Sequence, residues 1–462
     1  MTLERTETDM LGARDLPAEA LFGIHTLRAA ENFDVSGISL RDFPEFIQSL
    51  AMVKKATART NRDLQLLAPD IANAIDRACD RLMTCEDLAR HFPIDMMQGG
   101  AGTSTNMNVN EVVANLALLE MGKVPGDYAA VHPNDHVNLS QSTNDVYPTA
   151  IRLTVLRGCV AVLEAQERLR DAFGRKGEAF AEITKVGRTQ LQDAVPISLG
   201  QEFDAFAETV DEDVIQLRKT MDLMREINLG GTAIGTGVNA PAGFCASACQ
   251  HLSRISQLEV VPARNLVEAT SDTGAFVSFS GMLKRIAVKL SKICNDLRLL
   301  SSGPRAGLGE IRLPPRQAGS SIMPGKVNPV IPEMMNQISF QIIGNDLTVT
   351  LAANAGQLQL NAMEPVIVLN ILQSMRLLAR GMDILRERCI DGIEADAERC
   401  RFLYDQSLVL AASLNPIVGY SKAALLAKAA LASGTSLRHA AEADGSLSRA
   451  QLDQIFGVAE PS

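Results

Sequence analysis

The run Gly319-Ser320-Ser321-Ile322-Met323-Pro324-Gly325-Lys326-Val327-Asn328-Pro329-Val330-Ile331-Pro332-Glu333 holds two adjacent hydroxyls, one lysine and one asparagine. Gly-Ser-Ser leaves backbone N–H groups uncovered, which suits close approach to an anion. The prolines stiffen the segment, so few conformations are lost when it orders. Three other stretches share its character: 99–108, 132–145 and 187–193. All four are rich in hydroxyls, amides and glycine, and each is expected at the end of a helix. Any one of them alone could be a surface connector. Together they form a set of donors without aromatic or metal character, and such a set suits a small dianionic substrate.

The rest of the composition narrows the field. The chain has 462 residues, 46% of them apolar, enough to build a large core. Its formal net charge is −10, which argues against nucleic acid and against an anionic membrane surface as partners. Met1 to Leu11 is polar and acidic, unlike a secretory leader. No apolar run is expected to reach the ~18 residues of a membrane helix, and the expected compartment is the cytoplasm. The eight cysteines form no CxxC pair and lie mostly in apolar helical contexts, where free thiols act as small core residues. The six histidines lack ligand spacing, so a structural metal is not expected.

The elements that must carry these loops are helices. Helices are expected over 44–65 and 69–90, and over Glu111–Met121 with Asn108 or Asn110 near its N-cap. After Pro148 prolines become rare, and the spans 149–195, 197–240, 263–303, 333–364 and 366–415 are nearly free of strand alternation. Phe203, Phe206, Val210, Val214, Leu217, Met221 and Met224 recur in steps of three and four, as do Leu283, Ile286, Leu290, Ile293, Leu297 and Leu300. That is the seam of helices in a bundle. So many long apolar helices also imply packing against further subunits. Near the C-terminus Tyr420–Ala432 reads as a helix closed by Gly434, and Ser448 with Gln451 has capping-box spacing. The expected domains are 1–140, mixed and mostly helical; 141–396, the long-helix bundle; and 397–462, a small helical tail.

GSSIMPGKVNP resembles the signature of the aspartase/fumarase superfamily, and the likeness extends over about 5–460. It is carried as well by GIHTLRAAENF (23–33), QGGAGTSTNMN (98–108), HPNDHVNLSQSTNDVYPT (132–149), VGRTQLQDAVP (186–196) and GQLQLNAMEP (356–365). The resemblance implies a mainly α, three-domain fold whose long central bundle forms a shared tetramer core. It implies a homotetramer with active sites built from three subunits, a small dicarboxylate substrate, and elimination to fumarate. No cofactor is expected; activation by a divalent cation that is not essential is compatible with the likeness.

Matched residue by residue, the resemblance makes Ser320 the base that takes the Cβ proton, and an ordinary serine needs activation by its surroundings for that. Thr103, Ser142, Thr143 and Ser321 would stabilise the resulting aci-carboxylate. Lys326, Asn328 and Thr189 would hold the α-carboxylate. Asn144, Gln190 and Thr103 would lie by the amino group. Fumarases usually carry histidine where this chain has Gln190. Hydroxide needs a general acid to leave, whereas an ammonium already carries its proton. The sequence therefore points to the aspartase branch, with L-aspartate deaminated reversibly to fumarate and ammonia. A fumarate hydratase, a lyase of substituted aspartates and a catalytically silent relative are the alternatives. One departure is Gly325, in the fumarase spelling MPGKVNP where many aspartases read MPAKVNP. The other is the end of the chain shortly after Phe456, short of a tail that some relatives have.

Overall fold

The computed structural model describes residues 4–319 and 321–456, the Glu86 side chain apart. The expected mainly α fold is borne out. The chain opens with an antiparallel hairpin, β1 (Glu4–Asp9) and β2 (Gly12–Pro17). Helices α1 (Ile24–Asn32), α2 (Pro44–Asp63), α3 (Pro69–Thr84) and α4 (Thr103–Glu120) follow. A single π turn spans Pro133–Val137. Next come α5 (Thr143–Ala179), the hairpin β3 (Thr184–Thr189) and β4 (Gln192–Ser198), and α6 (Leu199–Met221). A two-residue parallel pair, β5 (Glu226–Ile227) with β6 (Val261–Pro262), flanks α7 (Phe244–Ser256). Helices α8 (Leu266–Ser271) and α9 (Gly274–Leu300) lead to β7 (Ile311–Arg312), which pairs with β8 (Glu394–Ala395) across α10 (Val330–Asn354) and α11 (Glu364–Arg388) in the chain.

Two compact units emerge. The first holds residues up to 163, 215–287 and 340–379; the second holds 164–214, 288–339 and 380 onward. In the second, the five long helices close a ring of side-chain contacts. Arg170 on α5 meets Asp211 on α6 at 2.8 Å, and Lys289 on α9 meets Asp213 on α6 at 3.1 Å. Asn336 on α10 donates to Ser291 Oγ on α9 at 2.8 Å, and Arg168 on α5 pairs with Asp383 on α11 at 2.9 Å. Gly381 lets α11 approach α10, where an added Cβ would sit 2.8 Å from Ile338. In the first unit Asn345 on α10 donates to Ser374 on α11, and Arg152 on α5 lies over the Phe276 ring of α9. The predicted stripes are core: Phe203, Leu217, Ile286 and Leu297 are buried.

The tail forms its own cluster. After α12 (Ala397–Gln406), Leu414, Leu426, Leu437, Leu452 and Phe456 gather from α13 (Ala411–Val418), α14 (Tyr420–Ser433), α15 (Leu437–Asp444) and α16 (Arg449–Phe456). Gly434 ends α14 in the left-handed region at φ 66, and Ser448 exchanges bonds with Gln451 as its spacing predicts.

Three expectations are corrected. Helix α4 starts at Thr103, eight residues before Glu111, and its N-cap is Gly102 at φ 87. From Thr105 on, its polar residues are buried and bonded to other segments, Thr105 to Gln98, Asn106 to Thr143 and Asn108 to His91 O, so tertiary contacts override their low helix propensity. The stretch 187–193 is a hairpin, not a loop. Helix α5 is long and apolar enough to cross a membrane, with an 18-residue window of mean hydropathy 1.4; 78% of that window is buried inside the protein, as in a core helix. All eight cysteines are free.

Candidate active site

The polar stretches of the first unit converge through α2, α4 and the start of α5. Ser142 caps α5: its hydroxyl accepts from Asn144 N at 3.3 Å, while Asp145 Oδ1 accepts from Ser142 N at 3.0 Å. The second Asp145 oxygen accepts from Gly230 N and Thr232 N, both at 3.0 Å, which ties the 228–232 turn to the same end of α5. Burial pushes the Asp145 carboxyl up to about 6 against these bonds. Asn144 Nδ2 donates to Ala233 O at 2.8 Å, and Asn228 Nδ2 donates to Asn144 O. A backbone carbonyl only accepts, so the Asn144 amide turns its nitrogen, not its oxygen, toward Ala233.

Asn106, one helical turn beyond Thr103 on α4, donates to Thr143 Oγ1 at 3.1 Å and to Asn138 Oδ1 at 3.2 Å. Ser142, Thr143 and Asn144 are consecutive, and Asn106 ties Thr143 to α4, on which Thr103 lies exposed one turn earlier. Gly102 makes the approach of α4 and α5 feasible: a Cβ there would lie 2.6 Å from the Tyr147 ring. Beneath the cluster Lys54 Nζ donates to Asn138 Oδ1 and Gln141 Oε1, each at 2.9 Å. Lys54 is fully buried, and burial pulls its ammonium down to about 7, opposed by the Asp145 charge. The sequence reading missed Lys54. The available signal was its spacing, since Phe46, Leu50 and Lys54 fall four apart on one buried face.

In the same unit the GIHTLRAAENF stretch has a structural reason. Glu111 accepts from Gly23 N at 2.8 Å, His25 N at 2.9 Å, Thr26 N at 3.2 Å and Thr26 Oγ1 at 2.6 Å, closing the open N–H groups of α1. A Cβ at residue 23 would lie 2.8 Å from both Glu111 and Glu7.

The second unit holds the other candidates. Thr189 and Gln190 lie exposed at the hairpin tip; Gln190 and Leu191, at φ 54 and 62, both take the left-handed conformation of a two-residue turn. Such a turn favours Asn-Gly, so a Gln-Leu pair here is held at a cost in backbone strain. Ser320 lies outside the described residues. Around it, Gly319 N donates to Lys326 O at 2.9 Å and Asn328 Nδ2 donates to Gly319 O at 2.9 Å, so Asn328 braces the loop. Ser321 and Lys326 are exposed. Gly325 has φ 81 with nothing within 4 Å of an added Cβ, so its glycine serves the backbone and not packing. Among the described residues no group of three or more His, Cys, Asp or Glu side chains is placed to hold a metal ion.

Hydroxyl and amide donors at helix N-termini in the first unit, and a lysine-bearing glycine loop in the second, are groups that suit a small anionic ligand. The family described as Lyase matches residues 12–344, and Fumarase C C-terminus matches 410–460. The chain belongs to this lyase family, within the aspartase/fumarase superfamily. It is 57% identical to the aspartate ammonia-lyase of Pseudomonas canavaninivorans, over 98% of this chain and 95% of that protein. It is 51% identical to that of Escherichia coli K12 over the same shares. Among solved structures, a fumarate lyase:delta crystallin from Brucella melitensis bound to cobalt superposes with TM-score 0.96 at 58% identity, over 98% of each chain. The class II fumarase of Schistosoma mansoni superposes with TM-score 0.93 at 34% identity, also over 98% of each.

Proposed function

We propose that this carbon–nitrogen lyase deaminates L-aspartate reversibly to fumarate and ammonia. The observation that carries the reading is identity of 51–57% over nearly the whole chain with proteins named aspartate ammonia-lyase. Two site features support it over malate as substrate. Gln190, a neutral amide, stands where elimination of hydroxide calls for a proton donor. With its Nδ2 committed to Ala233 O, Asn144 has its amide oxygen to offer an ammonium.

In this mechanism Ser320 takes the Cβ proton, and charge moves onto the β-carboxylate as an aci-carboxylate. Thr103, Ser142, Thr143 and Ser321 donate to it more strongly as that charge grows. Thr189, Lys326 and Asn328 hold the α-carboxylate; the lysine acts as a point charge. Asn144, Gln190 and Thr103 orient the amino group, which leaves as ammonia. The carbon–nitrogen electron pair goes with nitrogen, and the electrons of the broken C–H bond form the double bond of fumarate. The chemistry requires no cofactor, and a divalent cation enters only as a non-essential activator.

The working unit in this proposal is a homotetramer in the cytoplasm, with sites shared between subunits. On α10, Phe340, Leu347 and Leu351 are 60–62% exposed on one face with Ile343, an apolar stripe that a second copy would cover. Eight unpaired cysteines suit a reducing compartment. Ultraviolet absorbance on mixing the enzyme separately with L-aspartate and L-malate tests the activity. Fumarate from aspartate alone is expected; fumarate from malate alone would overturn the reading.

A further inference from the structure

The cluster below Thr143 has a direction, because each member constrains the next. Gln141 Nε2 donates to Val137 O and Leu139 O, both at 3.0 Å, so its amide oxygen must face Lys54. Asn138 Nδ2 faces Gln141 O at 3.4 Å, and its oxygen receives Lys54 Nζ at 2.9 Å. Carbonyls only accept and an ammonium only donates, so both ends fix the Asn138 amide the same way round. The Asn138 oxygen then also receives Asn106 Nδ2 and Asn110 Nδ2, each at 3.2 Å. That places nitrogen on the side of Asn106 that meets Thr143 Oγ1 at 3.1 Å. Asn106 is 1% exposed, and its own oxygen has no partner among the described residues. Reversing the amide would set two oxygens against each other at Asn138.

A threonine hydroxyl has one proton. With Asn106 donating to its oxygen, that proton is free to point away from the cluster. We propose that Asn106 is a positioning residue that aims the Thr143 proton at the substrate carboxylate, with Lys54 and Asn138 fixing the polarity of the chain. A hydroxyl already oriented at rest reorganises little as the carboxylate gains charge, which is where preorganised donors act. The inference rests on the reading of Thr143 as a substrate contact.

The test is steady-state fumarate formation from L-aspartate by wild type, Asn106→Ala, Thr143→Val and the double variant, with thermal midpoints as fold controls. Asn106→Ala is expected to lose roughly 10²-fold in kcat with a much smaller change in KM. In the Thr143→Val background the same change should add less than about 3-fold, since coupled residues are not additive. Asn110→Ala removes a donor to the same Asn138 oxygen without touching Thr143, and should keep kcat within about 3-fold. If Asn106→Ala does not fold, Asn106→Asp retains the shape, turns the Thr143 proton inward and should show the same loss. Full additivity with Thr143→Val, or an equal loss in Asn110→Ala, would overturn the role of Asn106. Undiminished turnover in Thr143→Val would instead overturn the substrate contact itself.

Discussion

The Lys185 ammonium lies 2.9 Å from one oxygen of Glu310, and Arg188 donates to the other at 2.9 Å. Glu310 is fully buried, and Lys185 also pairs with Glu202 at 2.5 Å. The carboxylate joins β3, which ends at the candidate tip Thr189-Gln190, to the start of β7, from which the chain enters the Ser320 segment. Its backbone is fixed too, with Glu310 N donating to Leu300 O and Glu310 O accepting from Asp396 N. Removing the charge leaves two cations without their shared partner in a dry site. Glu310→Gln is therefore expected to cost about 3–5 kcal/mol, read as a lower midpoint in urea with unchanged slope. A variant as stable as wild type would show that the ion pairs contribute nothing net.

Two glycines of the Ser320 loop should respond differently to alanine. At Gly319 a Cβ would sit 2.3 Å from Lys326 O, on the backbone that Gly319 N itself bonds. Gly319→Ala must open the loop and displace Lys326, so activity should fall by more than about 10²-fold, since a shift near 1 Å in reacting groups has that effect. At Gly325 nothing obstructs a Cβ, and only the left-handed φ of 81 resists it. Gly325→Ala should cost about 1 kcal/mol of local strain and leave most turnover intact. Both variants alter an exposed segment, so melting temperatures should stay close to wild type. Equal activity in the two would contradict the assignment.

Gly23 offers a test of stability without chemistry. Its Cβ would enter the space where the Glu111 and Glu7 carboxylates meet the start of α1, at 2.8 Å from each. Gly23→Ala is expected to push the Glu111 carboxylate off its four donors, three of them on the buried Gly23 and Thr26. A loss of about 1–3 kcal/mol follows from leaving such groups unpaired. Thermal unfolding of the variant, compared with Glu111→Gln, would show whether the two changes act through the same bonds; additive losses would say that they do not.

Regular periodicity made the long helices legible, because Phe203 to Met224 and Leu283 to Leu300 repeat at the helix period. The same method failed where no apolar residue keeps time. Glu4-Arg5-Thr6-Glu7-Thr8-Asp9 alternates nothing apolar, yet it pairs along its whole length with β2. Thr189-Gln190-Leu191-Gln192 lacks the glycine or asparagine that announces a tight turn. Helix α4 began early because Asn106, Asn108 and Asn110 spend their amides on distant partners, a choice only the tertiary structure reveals. The candidate residues came from motif likeness, but their support did not. Lys54 and Glu310 are charged residues in buried positions, and only their partners explain them.

Lys54 gives the pH prediction. Its pKa in the folded protein, about 7, lies below the ordinary 10.5, because burial disfavours the charge more than the Asp145 carboxylate restores it. Between those values the unfolded chain binds more protons than the folded one, so stability attributable to Lys54 rises with pH. Asp145 is ionised throughout that range. Burial pushes the Cys79 thiol up, so it stays protonated in the fold, and the effect of its titration in the unfolded chain is common to wild type and variant. Relative to Lys54→Met, wild type should therefore gain roughly 3–4 kcal/mol between pH 7 and pH 10. Urea unfolding of both proteins across that range measures the difference, and a difference that stays flat would mean that Lys54 keeps its proton in the fold.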